Sequence, residues 1–146
     1  MRTVYIVLFS LLFCACVRQQ PIGSFCGSGI QTDQEAVIAE DAASRLASEY
    51  PPGRTALHLE QAKRGSFGEA LESNLRARGF LLQNEGAKDV LSLTYRLDAI
   101  KDEPSAWYLH VTLSNGLSFS RVYTLGAQTA PEGVVVQRSQ AANEQP

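Results

Sequence analysis

Three cysteines and two histidines are the side chains of this 146-residue chain best suited to bond-forming chemistry. The clearest pattern is Leu12-Phe13-Cys14-Ala15-Cys16, which closes an apolar run. A thiol in that setting suits lipid transfer. Lipoprotein processing wants an apolar residue at the third position before the cut, two small residues after it, and then Cys. Cys16 meets this with Phe13, Cys14 and Ala15. Cys14 does not, because bulky Phe13 would stand next to the cut. The alternative for the same segment is an ordinary secretory signal cut nearby, or an uncleaved anchor. An acylated Cys16 would carry two or three chains. Each buried CH₂ contributes about 0.8 kcal/mol, so one chain holds marginally and several hold stably.

Cysteine counting then isolates Cys26. Cys14 leaves with the signal and Cys16 is consumed as a thioether. Cys26 is left within Gly23-Ser24-Phe25-Cys26-Gly27-Ser28-Gly29. An odd cysteine in an oxidising compartment points to an intermolecular disulfide or a free thiol, and the residues leave both open. His58 and His110 sit in no H-x-x-x-H spacing and no C-x-x-C is present, so no metal site is expected. Gly65-Ser66-Phe67-Gly68 is not the G-x-S-x-G elbow of a hydrolase, and Ser66 reads as a helix start. Ser66, His110 and Asp98 are a trio that chance supplies in any chain of this size. Gly27-Ser28-Gly29 lacks the Lys and the preceding strand of a phosphate loop. The expectation is no catalytic residues, no metal and no cofactor.

Charge narrows the partners. Thirteen Lys+Arg stand against 15 Asp+Glu, for a formal net charge of −2. The basic residues are scattered and Lys63-Arg64 is the densest pair, so nucleic acid is not an expected partner.

The elements that must carry these residues follow from periodicity. Met1-Arg2-Thr3 and the apolar Val4 to Phe13 read as a signal peptide over 1–15, too short to span a bilayer with the roughly 20 residues needed. Residues 16–31, rich in Gly, Gln, Ser and Pro, read as the lipidated Cys and a flexible tether. A single domain over 32–138 follows, then a polar tail over 139–146. Thr32 with Glu35 suggests a capping box, and Ile38, Ala42, Leu46 and Tyr50 recur at helical spacing until Pro51-Pro52. Thr55 to Gln61 alternates as a strand. Ser66 with Glu69 starts a second helix through Phe67, Leu71 and Leu75, ended by Gly79. Phe80 to Leu82 is a short strand. Leu91 to Ala99 and Trp107 to Leu113 alternate strictly, and Asn115-Gly116 signals a type I′ hairpin turn. Leu117, Phe119, Arg121 and Tyr123 share one face of the returning strand, and Val134 to Val136 make a last one. The order α-β-α-β-β-β-β predicts an α+β fold: two helices on one face of a mostly antiparallel, four- to six-stranded sheet. Trp107, Phe119, Tyr95 and Tyr123 are expected in its core. Tyr108, His110, Thr112, Ser118 and Ser120 fall on the opposite face, where a partner could dock and where plain exposure to solvent is the alternative.

Several segments resemble the TrbH family of conjugal transfer lipoproteins. They are Asp41-Ala42-Ala43 with Leu46 and Tyr50-Pro51-Pro52-Gly53, then Phe67-Gly68-Glu69-Ala70-Leu71 leading to Leu75-Arg76-Ala77-Arg78-Gly79-Phe80, then Tyr95-Arg96-Leu97-Asp98 and Arg121-Val122-Tyr123. The resemblance runs from Met1 to about Arg138. It implies a structural part in mating-pair formation by a type IV secretion apparatus, with outer-membrane core-complex subunits as partners. It implies no catalytic residue. Related small lipoproteins can be disulfide-linked to a neighbour near their N-terminus, an arrangement Cys26 would suit. Val17, rather than Asp, after Cys16 favours the outer membrane of a Gram-negative cell, with the domain facing the periplasm. The rival expectation is a periplasmic ligand- or peptide-binding lipoprotein of envelope maintenance, holding its ligand between helices and sheet.

Overall fold

The computed structural model describes residues 23–60, 65–126 and 129–138. Residues 1–15, read above as a signal peptide, Cys16, and residues 139–146, read as a polar tail, lie outside the described residues. The chain forms β1 (Phe25–Cys26), α1 (Thr32–Glu49), a 3-10 turn over Pro52–Arg54, β2 (Ala56–Leu59), α2 (Ser66–Ala77), β3 (Leu81–Leu82), β4 (Val90–Ile100), β5 (Glu103–Leu113), β6 (Leu117–Thr124) and β7 (Ala130–Arg138).

The helices form where apolar side chains recur at three and four residues. In α1, Ile38, Ala39, Ala42, Ala43 and Leu46 are fully buried, and in α2 so are Phe67, Leu71 and Leu75. Tyr50 ends α1 in extended geometry before Pro51, its N–H still donating to the Leu46 carbonyl at 2.9 Å. Gly79, at φ +90°, ends α2 in the left-handed conformation and lets the Phe80 N–H reach the Leu75 carbonyl at 3.1 Å. The helices pack on each other, and the Arg78 guanidinium ties the end of α2 to α1 through the Ser44 hydroxyl and the Glu40 carbonyl.

The strands make one seven-stranded sheet in the order β3-β2-β4-β5-β6-β7, with β1 also paired to β4. β3, β2 and β4 run parallel, with α2 crossing over from β2 to β3, and β4 to β7 run antiparallel. Alternation decides the faces. Leu57, Leu93, Tyr95, Leu97, Trp107, Leu109, Val111, Phe119 and Tyr123 point to the helices and are buried in one core with them. Phe67 of α2 meets Tyr95 edge-on, with ring centroids 4.9 Å apart. This is the expected α+β architecture, and the sheet has one strand more than the expected range.

The extra strand is β1, inside the stretch read as tether. Phe25 and Cys26 pair in parallel with Arg96 and Leu97, continuing along β4 where β2 stops. Both helix starts sit one residue earlier than expected. Gln31 caps α1, with its N–H donating to the Gln34 side-chain oxygen at 3.2 Å, and Gly65 caps α2. Thr32 and Ser66 are therefore the first helical residues, and Glu35 is free to turn inward. The β5–β6 hairpin is present, but its turn is not type I′. Gly116 alone has positive φ (+87°), and its N–H donates to the Leu113 carbonyl at 3.0 Å. The loop is thus three residues long, a turn closed by a left-handed glycine. β7 spans nine residues rather than three valines.

Candidate functional site

Among the described residues the helices cover one face of the sheet and leave the other open. Tyr108, His110, Thr112, Ser118 and Ser120 all lie on this open face, because their neighbours Leu109, Val111, Leu117 and Phe119 point to the core. Four of the five form a single hydrogen-bonded chain. The Tyr108 hydroxyl is 2.7 Å from Ser120 Oγ, His110 Nδ1 is 2.8 Å from the same oxygen, and His110 Nε2 is 3.0 Å from Thr112 Oγ1. The Tyr108 and His110 rings stack 6.2 Å apart. Ser118 faces Thr112 across the strands. Burial lowers the His110 pKa, so this imidazole stays neutral at physiological pH.

Charge is almost absent here. On β1, β2, β4, β5 and β6 the formal charges turned to this face are those of Arg96 and Asp98, which pair with each other at 3.3 Å. Arg96 also lies over the Phe25 ring, 5.2 Å from its centroid. Phe25, Leu81, Tyr108 and Val135 expose apolar surface on this face. A shallow hollow of about 180 Å³ opens between β1, β4 and β5, lined by Gly23, Phe25, Thr94, Arg96, His110 and Thr112 among others. A flat face with aromatic and hydroxyl groups and one internally matched ion pair suits the core of a protein–protein contact, where charge is depleted. Ser66 stands at the start of α2 on the covered side, so it is not brought to His110 and Asp98. Among the described residues no group of three or more His, Cys, Asp and Glu is placed to hold a metal, and no helix is long and apolar enough to cross a membrane.

Cys26 is half-buried in β1. Its thiol donates to the Glu35 carboxylate at 3.4 Å, and Glu35 is only 5 % exposed. Burial pushes this thiol up from the ordinary 9.0 to about 12, helped by the hydrogen bond to Glu35 and by the charges of Glu35 and Asp98. A Cβ at Gly27 would lie 2.8 Å from Asp98 Oδ1 and 3.4 Å from the Trp107 ring, so a larger residue there would have to displace the Asp98 carboxylate. Two effects are expected. A thiol-labelling reagent at pH 8 reacts with folded Cys26 at least ~100-fold more slowly than with the unfolded chain, since the thiolate is the nucleophile. Stability also falls with alkali. The folded chain holds the Cys26 proton to a higher pH than the unfolded chain does, so this contribution is intact below about pH 9 and is lost as pH rises toward about 12. Tyr95, whose phenol burial pushes up to about 12, adds loss in the upper part of that window. Thermal melting across pH 8 to 11 checks this, and Cys26→Ser should flatten the first part of the fall.

On the covered side, a polar link joins α1 to β6. Arg121 Nη1 donates to both carboxylate oxygens of Asp41, at 2.7 and 2.6 Å, and the Tyr123 hydroxyl donates to Asp41 Oδ2 at 2.7 Å. Tyr123 is fully buried, and its phenol is pushed far up by that burial first and by the Asp41 hydrogen bond second. Arg121 among Leu117, Phe119 and Tyr123 on the core-facing side of β6 was the sequence signal for this link, and its partner is 80 residues away.

Asp41, Arg121 and Tyr123 come from two segments that resembled one family, and here they meet. The sequence matches the family model for conjugal transfer protein TrbH over residues 19–139, most of the chain. This chain is a member of the TrbH family. No curated protein and no solved structure matches it significantly. As a TrbH protein it belongs with conjugal transfer. The Asp41–Arg121–Tyr123 link fixes α1 of this TrbH chain against β6, on the side of the sheet opposite Tyr108 and His110.

Proposed function

We propose that this chain is a structural lipoprotein of a conjugative type IV secretion apparatus. Lipid on Cys16 holds it at the outer membrane with the domain in the periplasm, and the open sheet face docks core subunits of the channel in support of mating-pair formation. The observation that carries the docking is the uncovered, nearly charge-free face around Tyr108, His110, Thr112, Ser118 and Ser120. Membership of a conjugal transfer family supports the process, and tethering to one membrane raises the effective concentration of the domain near other anchored subunits. A disulfide from Cys26 to a neighbour belongs to this reading only if β1 lifts, because the docked thiol is held protonated against Glu35. The rival, a ligand held between helices and sheet, is disfavoured by the side chains that fill that layer: Ile38, Leu46, Phe67, Leu71, Leu97 and Leu109 are fully buried there.

The test places charge on the face without touching the core. In Tyr108→Lys with Ser118→Lys, transfer frequency and co-purification with channel subunits should both fall at least ~10-fold, the consequence of losing about 1.4 kcal/mol of docking energy. Thermal melting should stay within a few degrees. Unchanged transfer by this folded variant would remove the face from the mechanism.

A further inference from the structure

β1 is only two residues long, and no large apolar side chain of it enters the core. Phe25 turns to the open face, 39 % exposed, beneath the Arg96 guanidinium. Cys26 points inward and is half-buried. Beside the parallel pairing with β4, the stretch is held by the Ser24 N–H on the Glu60 carbonyl, the Tyr95 N–H on Ser24 Oγ and the Gly27 N–H on the Leu97 carbonyl. Segments with few buried apolar contacts open locally at a fraction of the free energy of global unfolding. The far end of the stretch is fixed. Ile30 packs against the core and leads into α1, and Gly29 just before it is exposed, at φ +104°, with nothing near the position of a Cβ. A bend at Gly29 therefore meets no side chain.

Beneath Cys26 lies Glu35 of α1, 5 % exposed. Its Oε1 accepts the Cys26 thiol at 3.4 Å, and its Oε2 is buried with no hydrogen-bond partner among the described residues. A thiol is a weak donor, so this carboxylate is poorly compensated for its lost water. Lifting β1 lets water reach it, and the hydration of Glu35 offsets part of what the broken contacts held. The core does not depend on β1: Leu46, Leu71, Leu93, Leu97 and Leu109 stay packed between helices and sheet.

We propose that β1 is a latch: it swings out about Gly29 while the rest of the domain stays folded, and this opening is the route by which Cys26 reacts. The latch goes beyond the function proposed above and needs neither the lipid nor the docking of the open face. It sets when the thiol is available. It also frees the backbone groups of β4 at Tyr95 and Leu97 that β1 and its flanks occupy when closed.

The test is labelling of the full chain carrying Cys14→Ser and Cys16→Ser, in which Cys26 is the single thiol. The probe is dithiobis(nitrobenzoate) in excess at pH 8. The Cys26 thiolate attacks its disulfide, a mixed disulfide forms and thionitrobenzoate leaves. Labelling of the folded chain should be about 100- to 1,000-fold slower than that of the unfolded chain, well short of the protection set by global unfolding of an ordinary domain. In urea kept below the unfolding transition the rate should stay within about twofold, because lifting β1 exposes little surface. Ser24→Ala removes the acceptor of the Tyr95 N–H from the closed state alone, so labelling should speed up roughly 5- to 20-fold with melting almost unmoved. Glu35→Gln separates the latch from direct attack on the closed thiol. Its carboxylate helps keep that thiol protonated, so direct attack would be faster in this variant, whereas passage through the latch should be unchanged or slower. A rate that climbs with urea in step with unfolding, that ignores Ser24→Ala, or that rises in Glu35→Gln would each overturn the latch.

Discussion

Asp41→Ala should destabilise the domain by about 2–4 kcal/mol, the expected cost of stripping the partner from a largely desolvated charge and leaving a buried hydroxyl without its acceptor. The side chains of Asp41 and Arg121 are 26 % and 21 % exposed, so neither is freely solvated. Nη1 of Arg121 spends its hydrogen bonds on this carboxylate, and Nε of the same guanidinium is buried without a partner. Without Asp41, the arginine keeps its charge inside and the Tyr123 hydroxyl keeps its proton with nowhere to donate it. At roughly 4–8 °C per kcal/mol for a domain near this size, the melting temperature should fall by about 10–30 °C. Tyr123→Phe removes one hydrogen bond and leaves the ion pair, so about 1 kcal/mol is expected. Replacing both Asp41 and Arg121 with leucine should cost much less than Asp41→Ala, because no charge is then left behind. Chemical denaturation of the four proteins decides it. A loss below about 1 kcal/mol in Asp41→Ala would mean that water already solvates Arg121.

That link also shows what kind of structure a sequence exposes. Parity in β4, β5 and β6 was legible because one face must be buried: a one-residue slip would turn Leu93, Tyr95 and Leu97 outward. The helices were legible from Ile38 to Leu46 and from Phe67 to Leu75 for the same reason. The two caps were misplaced because Gln31 and Gly65 are weaker cap signals than the Thr32 and Ser66 beside them, and tertiary demand on Glu35 outweighed the capping box. β1 was hidden for a different reason. Two residues carry no period, and their pairing is set by the vacancy beside β4 where β2 ends, a fact of topology rather than of Phe25 or Cys26. That Tyr108, His110, Thr112, Ser118 and Ser120 share one face was legible from alternation, but the hydrogen-bonded chain through His110 depends on cross-strand register, which spacing alone does not give. Arg121 was placed on the buried face, but its partner Asp41 lies 80 residues away, beyond what spacing reveals.

Cys16→Ser should release the chain from the membrane and reduce transfer to the level of a deletion strain. Under the proposed function, several acyl chains on Cys16 are the attachment. At about 0.8 kcal/mol per buried CH₂ their removal leaves no comparable term, and none of the described helices can take over as a span. β1 sharpens the expectation. Gly23 to Gly27 is held to the domain by the Ser24 N–H on the Glu60 carbonyl (3.1 Å), the Gly27 N–H on the Leu97 carbonyl (2.7 Å) and the Tyr95 N–H on Ser24 Oγ (3.1 Å), so only residues 17–22 separate the proposed lipid from this anchored stretch. The seven steps from Cys16 to Gly23, at 3.3–3.6 Å each, span about 25 Å at most. The domain would then stay close to the bilayer, and attachment should be sensitive to length as well as to lipid. Fractionation and mating assays separate the cases. Cys16→Ser should appear in the soluble fraction, and a foreign lipoprotein signal fused ahead of Val17 should restore both membrane binding and transfer. A cleavable signal without a lipid site, delivering the same domain to the same compartment, should restore neither. Wild-type transfer by that soluble form would show that the anchor is dispensable and that the sheet face works free of the membrane.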